Sequence, residues 1–401
     1  MIKSALLPIV LAALSLTLLS LTLAASPASA AEPSPNVKAV SAAGSDFGFR
    51  LLHVLATDHP AGSGPNDNVF FSPFSVYQAL TLAMDGAGGQ TQADMAKTLG
   101  LDALPQDKIN AANAELLPAL MSDPKVQMNV ANSLWVTTGL TFSQAYQVEA
   151  ERFYHAQATT LNFKSPGAAA AINGWVRDNT QGRITEIVKP DDLKHSTNVL
   201  ANTVYFHGLW QSSFDKTATT DALFHLDAKQ TKNVFDYLKT PQFQAVRLSY
   251  GKGHLSMLVF LPASGTSADA FADKLNAQKL DQWQSAMKPT ELTVFLPRFK
   301  ANYTVTLNKL LAALGMGSAF SSGADFGPMG LPGVHISAVL HKAVLDVDEQ
   351  GTTAAAATEV ETTASIRFPP PTTMRVDHPF VCLLRDRVTG AILFAGIIRD
   401  P

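Results

Sequence analysis

The spacing of apolar residues divides the chain into an early helical part and a later strand-rich part. Small and apolar residues recur at helical spacing through residues 45–57, which predicts a helix with Ser45 as its N-cap. Residues 68–85 read as a short apolar strand, a helix start at Ser72 and Pro73, and then an amphipathic helix. The early part of the chain is therefore expected to be mainly helical.

Strand patterns dominate the second half. Residues 197–210 form a near-continuous apolar run with β-branched residues, which is typical of a strand buried on both faces. Residues 341–349 alternate, and residues 379–386 and 391–400 are apolar arms around the turn sequence RVTG, which predicts a hairpin. Because helices come early and strands late without regular alternation, we expect an α+β fold with antiparallel sheets.

Residues 348–371, DEQGTTAAAATEVETTASIRFPPP, carry contradictory signals. Four consecutive alanines favour a helix, whereas the surrounding threonines and valine favour a strand. In an extended strand starting at Thr352, both glutamates fall on one face and Val360 on the other. This is the pattern of a strand buried on one side. From Thr352 to Ser365 it would span roughly 45–50 Å. An alanine-rich linker or a frayed helix is the alternative.

The N-terminus has the features of a secretory signal peptide. Lys3 precedes an apolar run over residues 5–25, and Ala28–Ala30 has the small-x-small pattern that predicts cleavage before Ala31. The run is longer than the usual roughly 7–15 residues, so an uncleaved anchor is the alternative. We expect a signal peptide over residues 1–30, a flexible leader over 31–44, one domain over 45–401, and an exported protein, extracellular or periplasmic.

Composition and charge narrow the class of protein. The 401 residues are 46% apolar and only 16% charged, which suits a large buried core and excludes global disorder. The net charge of −3 does not provide the basic surface typical of nucleic-acid binding. Cys382 is the single cysteine and lies in an apolar run, so we expect a buried thiol and no internal disulfide.

No sequence motif indicates a metal, cofactor or catalytic site. The chain lacks HExxH, CxxC, a P-loop, GxGxxG after a strand and the GxSxG nucleophile elbow. Its ten histidines have no paired-ligand spacing. We therefore expect neither an enzyme nor a cofactor, with an unrecognised hydrolase as the alternative.

Seven segments together resemble one family, the serpins. They are NVFFSPFSVYQALTLAMDGAGGQTQADMAKTL, ANSLWV, INGWVRDNTQGRI, ANTVYFHGLW, LPRFK, HKAVLDVDEQGTTAAAAT and VDHPFVCLLRDRVTGAILFAGII, in this order. The resemblance runs from about residue 45 to the C-terminus. It implies the serpin fold, with three β-sheets, about nine helices and an exposed reactive-centre loop at about residues 349–371. The signal peptide and the alanine-rich, lysine-poor composition suggest a bacterial member.

The resemblance assigns a function to the contradictory segment. In serpins the matching loop is attacked by a target protease and, once cleaved, inserts as a new central strand of the largest sheet, trapping the protease. The hinge by this resemblance is Glu349, Gly351, Thr352, Thr353, Ala354, Ala355, Ala356, Ala357 and Thr358. Many inhibitory members have an acid where Thr353 stands. The family spacing places the reactive bond at Ser365–Ile366, with Arg367–Phe368 as the alternative.

Two further groups of residues match the family. The shutter, a polar cluster where strands part, is Ser72, Ser75, Asn202 and His341. The breach, where insertion begins, is Trp210, Arg298 and Glu349, and an Arg298–Glu349 ion pair is expected there. Hydroxyl, amide and imidazole groups can exchange hydrogen bonds as strands slide, which suits the shutter. Ser72 and Ser75 also suit the N-terminus of the helix after Pro73.

The expected partner is a protease. The small residues Ala364 and Ser365 at this bond favour elastase-like, subtilisin-like or cysteine proteases, whereas attack at Arg367 would favour trypsin-like enzymes. A monomer is expected, without nucleic-acid binding and without membrane attachment after signal cleavage. The alternative is a non-inhibitory serpin acting as a binding or chaperone-like protein.

Overall fold

The computed structural model describes residues 32–57, 67–121, 123–222, 226–349 and 372–401, without the side chains of residues 215–232. The predicted signal peptide, the hinge from Gly351 to Thr358 and both candidate reactive bonds lie outside these ranges. None of the helices in the described ranges is long and apolar enough to cross a membrane.

The described residues contain ten α-helices, close to the expected number of about nine. The helices are α1 (Pro35–Thr57), α2 (Pro73–Asp85), α3 (Gly89–Leu99), α4 (Gln106–Leu120), α5 (Gln144–Tyr154), α6 (Ala168–Asn179), α7 (Pro190–Leu193), α8 (Ala268–Ala272), α9 (Ala277–Ala286) and α10 (Asn308–Leu311). A π-helical turn (Ala312–Met316) and a 3₁₀ turn (Gly317–Phe320) follow α10.

The strands are β1 (Val69–Phe71), β2 (Val126–Thr137), β3 (Gln157–Leu161), β4 (Asn198–Gly208), β5 (Asp215–Ala222), β6 (Leu226–Lys239), β7 (Phe243–Ser249), β8 (Leu255–Pro262), β9 (Lys288–Pro297), β10 (Phe299–Thr306), β11 (Ala338–Val347), β12 (Thr372–Arg375), β13 (Phe380–Asp386) and β14 (Ile392–Ile398). The α+β expectation is confirmed.

Helix α1 begins earlier than the sequence suggested. Val37 and Val40 are buried, and the hydroxyl of Ser45 donates a hydrogen bond to the carbonyl of Ser41, four residues before it. Ser45 therefore lies inside the helix and is not its N-cap. The expected flexible leader is wrong from Pro35 onwards, because the valines extend the apolar face of α1 through a stretch that composition alone presents as small and polar.

Hydrogen bonding joins the strands of the described residues into two sheets and not the expected three. The larger sheet has the order β1-β14-β13-β8-β7-β6-β9-β12, with β5 also paired to β6. Strand β6 is 14 residues long and pairs with β9 over most of its length and with β7 at its end. One long strand thus connects two groups of strands that would otherwise be separate sheets. The predicted hairpin is confirmed as the antiparallel pair β13–β14.

The smaller sheet has five strands in the order β10-β11-β4-β2-β3. At its centre β4 and β11 are parallel neighbours, in register from Ala338 opposite Val199 to Leu345 opposite Phe206. We call this β4–β11 contact the seam. Parallel strands joined by a long connection are paired here without any strand between them, so the sheet is closed along the seam.

The five-stranded sheet is covered on both faces, as the apolar sequence of β4 predicts. Ala201 packs in a cluster with Ile172 and Val176 of α6. The next residue, Asn202, points to the opposite face and contacts Ser75 of α2. Successive strand residues face opposite sides, so one strand meets an apolar helix on one face and a polar helix start on the other.

Cys382 lies in β13 and is 2% exposed. Burial raises the pKa of its thiol to about 12. The expectation of a buried, unreactive thiol is therefore confirmed for this strand.

The crossing of α1 and α2 depends on Gly48. A Cβ at this position would lie 2.6 Å from Cβ of Pro73, whose rigid ring cannot move aside. We predict that Gly48→Ala destabilises the protein by about 1–3 kcal/mol through overpacking, measured by urea unfolding. The matched control is Gly174→Ala in α6, where the nearest atom is a flexible arginine nitrogen at 3.7 Å. It should be neutral or stabilise by up to about 1 kcal/mol, and equal effects of both changes would contradict the packing argument.

Candidate functional site

The start of α2 presents polar groups to the underside of the five-stranded sheet. Ser72 is the N-cap of α2, its hydroxyl accepts a hydrogen bond from the Ser75 amide at 3.1 Å, and Pro73 occupies the first helical position. The N-cap interpretation of Ser72 is therefore confirmed. The backbone N–H of Ser72 also donates to Nε2 of His341 in β11 at 3.1 Å, which connects the helix start to the seam.

Three side chains form a row across β2, β4 and β11. Asn132, Asn202 and His341 are register partners on these neighbouring strands. The amide nitrogen of Asn202 donates to Asn132 Oδ1 and to the carbonyl and hydroxyl oxygens of Ser75. Its amide oxygen contacts Nδ1 of His341 at 2.5 Å. The four predicted shutter residues are thus in one hydrogen-bonded cluster, and Asn132 is an additional member.

The cluster fixes the tautomer of His341. Nε2 must accept from the Ser72 N–H, so the ring proton lies on Nδ1 and is donated to Asn202. His341 is fully buried, and burial lowers its pKa from the ordinary 6.5 to about 3. The imidazole is therefore neutral near physiological pH, with both nitrogens hydrogen bonded.

A second cluster closes the seam where β4 and β11 end. The indole N–H of Trp210, just after β4, donates to the carbonyl of Asp348, just after β11, at 2.9 Å. The amide of Phe214 donates to the carbonyl of Glu349 at 2.8 Å. Trp210 is buried and stacks on Tyr250 with ring centroids 4.1 Å apart. The chain leaving β11 is thus attached by two backbone carbonyls to the chain leaving β4.

The expected ion pair is present at this end of the seam. Arg298, in the break between β9 and β10, donates from Nε to Glu349 Oε1 at 2.7 Å and also contacts it through Nη2. The Glu349 side chain is only 5% exposed, whereas Arg298 is 45% exposed. Because the carboxylate is buried, loss of the guanidinium would leave a desolvated charge, which costs more than an exposed pair contributes.

The two clusters lie at separate points of one seam, since Asn202 and Trp210 are eight positions apart, about 27 Å along an extended strand. Sequence reasoning placed seven residues in these clusters and missed Asn132 and Phe214. Asn132 had a usable signal, because it is an amide in a buried strand within ANSLWV. Phe214 contributes its backbone amide, which no residue-type pattern reveals, and its ring lies edge-on to that of Trp210 with centroids 6.1 Å apart.

The neutral state of His341 predicts a pH dependence of stability. A histidine pKa that is lower in the folded than in the unfolded protein contributes stability that is present above pH 6.5 and is lost as the pH falls toward 3. Between pH 8 and pH 5 the wild type should lose about 2 kcal/mol from this group. His341→Gln retains a donor and an acceptor but does not titrate, so it should lose about 2 kcal/mol less in urea unfolding over that interval.

His195→Gln is the matched control, because His195 is exposed. It should retain the pH dependence of the wild type. If His341→Gln and wild type lose the same free energy between pH 8 and pH 5, the neutral, buried state assigned to His341 is wrong.

Comparison with known proteins gives one consistent result. A family model described as serpin (serine protease inhibitor) matches residues 42–401. Leukocyte elastase inhibitor A of Rattus norvegicus is 32% identical over 385 residues, covering 90% of this chain and 99% of that protein. The structure of human thyroxine-binding globulin complexed with thyroxine matches with a TM-score of 0.82 and 26% identity, over 90% of this chain and 98% of the other.

The thermophilic serpin tengpin, solved in its native state, matches with a TM-score of 0.82 and 26% identity, over 94% of this chain and 97% of the other. Family model, sequence relatives and solved structures agree over nearly all of the chain after its first 41 residues. The chain belongs to the serpin family.

Proposed function

We propose that this protein inhibits serine proteases as a suicide substrate, by insertion of its cleaved reactive loop into the five-stranded sheet. The observation that carries the proposal is the seam. Two parallel strands are paired directly, and the segment expected to insert leaves β11 at Glu349, beside the end of β4. The relatives named leukocyte elastase inhibitors support an elastase-like target.

The strand directions suit insertion. Since β4 and β11 run the same way, a segment that folds back after Glu349 enters the seam antiparallel to both neighbours. The eight register pairs of the seam would be exchanged for two ladders of hydrogen bonds. One extra ladder of about eight bonds is worth roughly 4–12 kcal/mol, so the inserted form is expected to be the more stable one.

The downstream connection explains why cleavage is needed. Strand β12 begins at Thr372 and is paired with β9, and the residue after β9, Arg298, contacts Glu349 at the end of the seam. If residues 352–365 insert, only residues 366–371 remain to return to β12. Six residues reach at most about 20 Å, whereas the inserted strand is roughly 45–50 Å long. Complete insertion therefore requires a cut chain or the release of β12.

The two clusters would then control the rate of insertion. At the breach, entry of the loop separates Trp210 from Asp348, whereas Arg298 and Glu349 belong to the paired chains of β10 and β11 on one side of the seam. At the shutter, a strand placed between β4 and β11 separates Asn202 from His341 by a further roughly 4.8 Å. The contacts that cross the seam, Trp210–Asp348 and Asn202–His341, are absent after insertion, so they stabilise only the closed sheet and raise the kinetic barrier.

A non-inhibitory binding protein is the second candidate, because the same fold is found in thyroxine-binding globulin, whose structure contains thyroxine. Incubation with elastase decides between the two functions. A protease complex that survives SDS supports inhibition, whereas cleavage without a complex supports the second candidate.

We predict that an elastase-like protease cuts between Ser365 and Ile366, positions that the family spacing gives from Glu349. Mass measurement of the released C-terminal peptide should then give Ile366 as its first residue. A peptide starting at Phe368, with inhibition restricted to trypsin-like enzymes, would instead place the reactive bond between Arg367 and Phe368.

We predict that Thr352→Arg converts the inhibitor into a substrate. In the strand register derived from the sequence, Thr352 faces inward after insertion, and burying an unpaired arginine costs several kcal/mol. Insertion should slow, so water hydrolyses the acyl-enzyme first. The measurement is the ratio of SDS-stable complex to cleaved, free protein, which should fall at least about tenfold.

Thr353→Arg is the matched control, because the next residue in a strand faces the opposite side. It should retain most of the inhibition. Greater damage from Thr353→Arg, or full complex formation by Thr352→Arg, would show that the register or the insertion mechanism is wrong.

A further inference from the structure

A polar cavity of about 230 Å³ lies beside the breach and shares Trp210 with it. It is lined by the segment after β4 and by β6, β7 and the β13–β14 turn. Its lining includes Trp210, Ser212, Asp236, Arg247, Ser249 and Arg387. Four segments from distant parts of the sequence thus converge on one open space with hydrogen-bonding walls.

Arg247 is the most unusual residue of the cavity. Its side chain is only 10% exposed, and its Nη1 donates to Asp236 Oδ2 at 2.6 Å. Its Nη2 donates to Gln284 Oε1 at 3.2 Å. Its Nε–H is buried without a hydrogen-bond partner among the described residues. Leaving a buried charged donor unpaired costs free energy, so a ligand or a water molecule must accept the hydrogen bond from this Nε–H.

A second guanidinium is available at the cavity. Arg387 is exposed, and its Nη1 approaches the carbonyl of Gly253 at 3.5 Å. The cavity lining thus has two cations and one carboxylate, Asp236. Burial is the main cause that lowers the pKa of Arg247, and the positive charges of Arg387 and Arg385 act in the same direction, against the Asp236 carboxylate, which raises it. Since Asp236 pairs with Arg247, the lining has one positive charge, that of Arg387, beyond its single carboxylate.

We propose that this cavity binds a small molecule through an oxyanion group of the phosphate, sulfate or carboxylate class, held by Arg247 and Arg387. Guanidinium groups bind such anions through charge-assisted, often paired hydrogen bonds. The hydroxyls of Ser212 and Ser249 add neutral donors on the same lining.

The size of the cavity indicates what carries the oxyanion. A water molecule occupies about 30 Å³ of liquid volume, so 230 Å³ holds several waters and exceeds the space that an inorganic anion fills. Trp210 and Phe235 supply apolar wall area beside the polar groups. A low-molecular-weight organic phosphate or carboxylate fits both features better than a free inorganic ion.

Occupancy of the cavity would act on the breach through Trp210. This residue lines the cavity and also holds the carbonyl of Asp348. A ligand that immobilises the Trp210 segment stabilises the closed end of the seam and slows loop entry. This regulatory step rests on the proposed function, whereas binding itself does not.

Isothermal titration calorimetry of the intact protein tests binding. The probes are sodium sulfate, inorganic phosphate and glucose 6-phosphate, at an ionic strength held constant with sodium chloride. We expect saturable one-site binding, tightest for glucose 6-phosphate. Arg387→Ala and Arg247→Lys should each weaken it at least about tenfold. Arg152→Ala, an exposed arginine of α5 outside the cavity lining, makes the same change of net charge as Arg387→Ala and should bind as the wild type does.

Absence of saturable heat with all three probes, or wild-type affinity in Arg387→Ala, overturns the site. Arg387 is exposed, so this variant should fold even if Arg247→Lys does not. The rate of SDS-stable complex formation with elastase, with and without glucose 6-phosphate, tests the regulatory step separately. A rate that falls in wild type but not in Arg387→Ala supports it, and an unchanged wild-type rate contradicts it. If no complex forms in any sample, the proposed function fails while the binding result stands.

Discussion

The direct pairing of β4 with β11 is the constraint on which the rest of the structure depends. Two parallel strands meet at the centre of the sheet, and the chain connecting β11 to β12 starts beside the point where β4 ends. Closing the seam satisfies the backbone groups that the two strands present to each other, and the proposed insertion would add one antiparallel strand between them. The hydrogen bonds of the two clusters cross the closed seam, so under the proposed function they would control its opening.

The two clusters keep it closed by different chemistry, and their surroundings explain the difference. The cluster around Asn202 lies under the sheet without solvent, where a charge would be prohibitively expensive, and it consists of neutral donors and acceptors. The cluster around Glu349 lies at the edge of the sheet, where Arg298 is nearly half exposed and its charge remains solvated. A charged contact can therefore be used at the end of the seam but not in its middle.

Much of this arrangement could be predicted from sequence, because it depends on local patterns. The apolar run of β4 predicted burial on both faces, and the arms around RVTG predicted the β13–β14 hairpin. The start of α1 was missed, because the valines at positions 37 and 40 are separated by small and polar residues that hide the helical face. The joining of the sheets through β6 depends on strand pairing, which hydrophobic periodicity does not specify.

The seven predicted site residues were found through resemblance to a family, and chemistry alone would have found fewer. Asn132, Asn202 and His341 form a row only because β2, β4 and β11 are neighbours in this register, and the three strands are far apart in sequence. The same limit applies more strongly to the arginine cavity. Arg247 lies in the largely buried strand β7 and Arg387 in the β13–β14 turn, neither within a motif that indicates a site, and the fold brings both to one lining.

Under the proposed insertion mechanism, His341 would link the stability of the closed sheet to its opening. Its two nitrogens connect the start of α2 to β4 across the seam: Nε2 accepts from the Ser72 N–H at the helix start, and Nδ1 donates to Asn202 on the neighbouring strand. Opening the seam must break the bond to Asn202, whereas the bond to Ser72 can persist, because α2 and β11 need not separate.

The imidazole can then donate from Nδ1 to whatever group an inserted strand presents. A small polar residue would accept the hydrogen bond from Nδ1, whereas an apolar residue would leave this donor buried and unpaired. The threonines of the segment 352–363 are suited to that requirement in a way that a purely apolar strand is not. In the proposed inserted form, the polar residues of this segment would therefore supply the hydrogen-bond partner that Asn202 provides in the closed sheet.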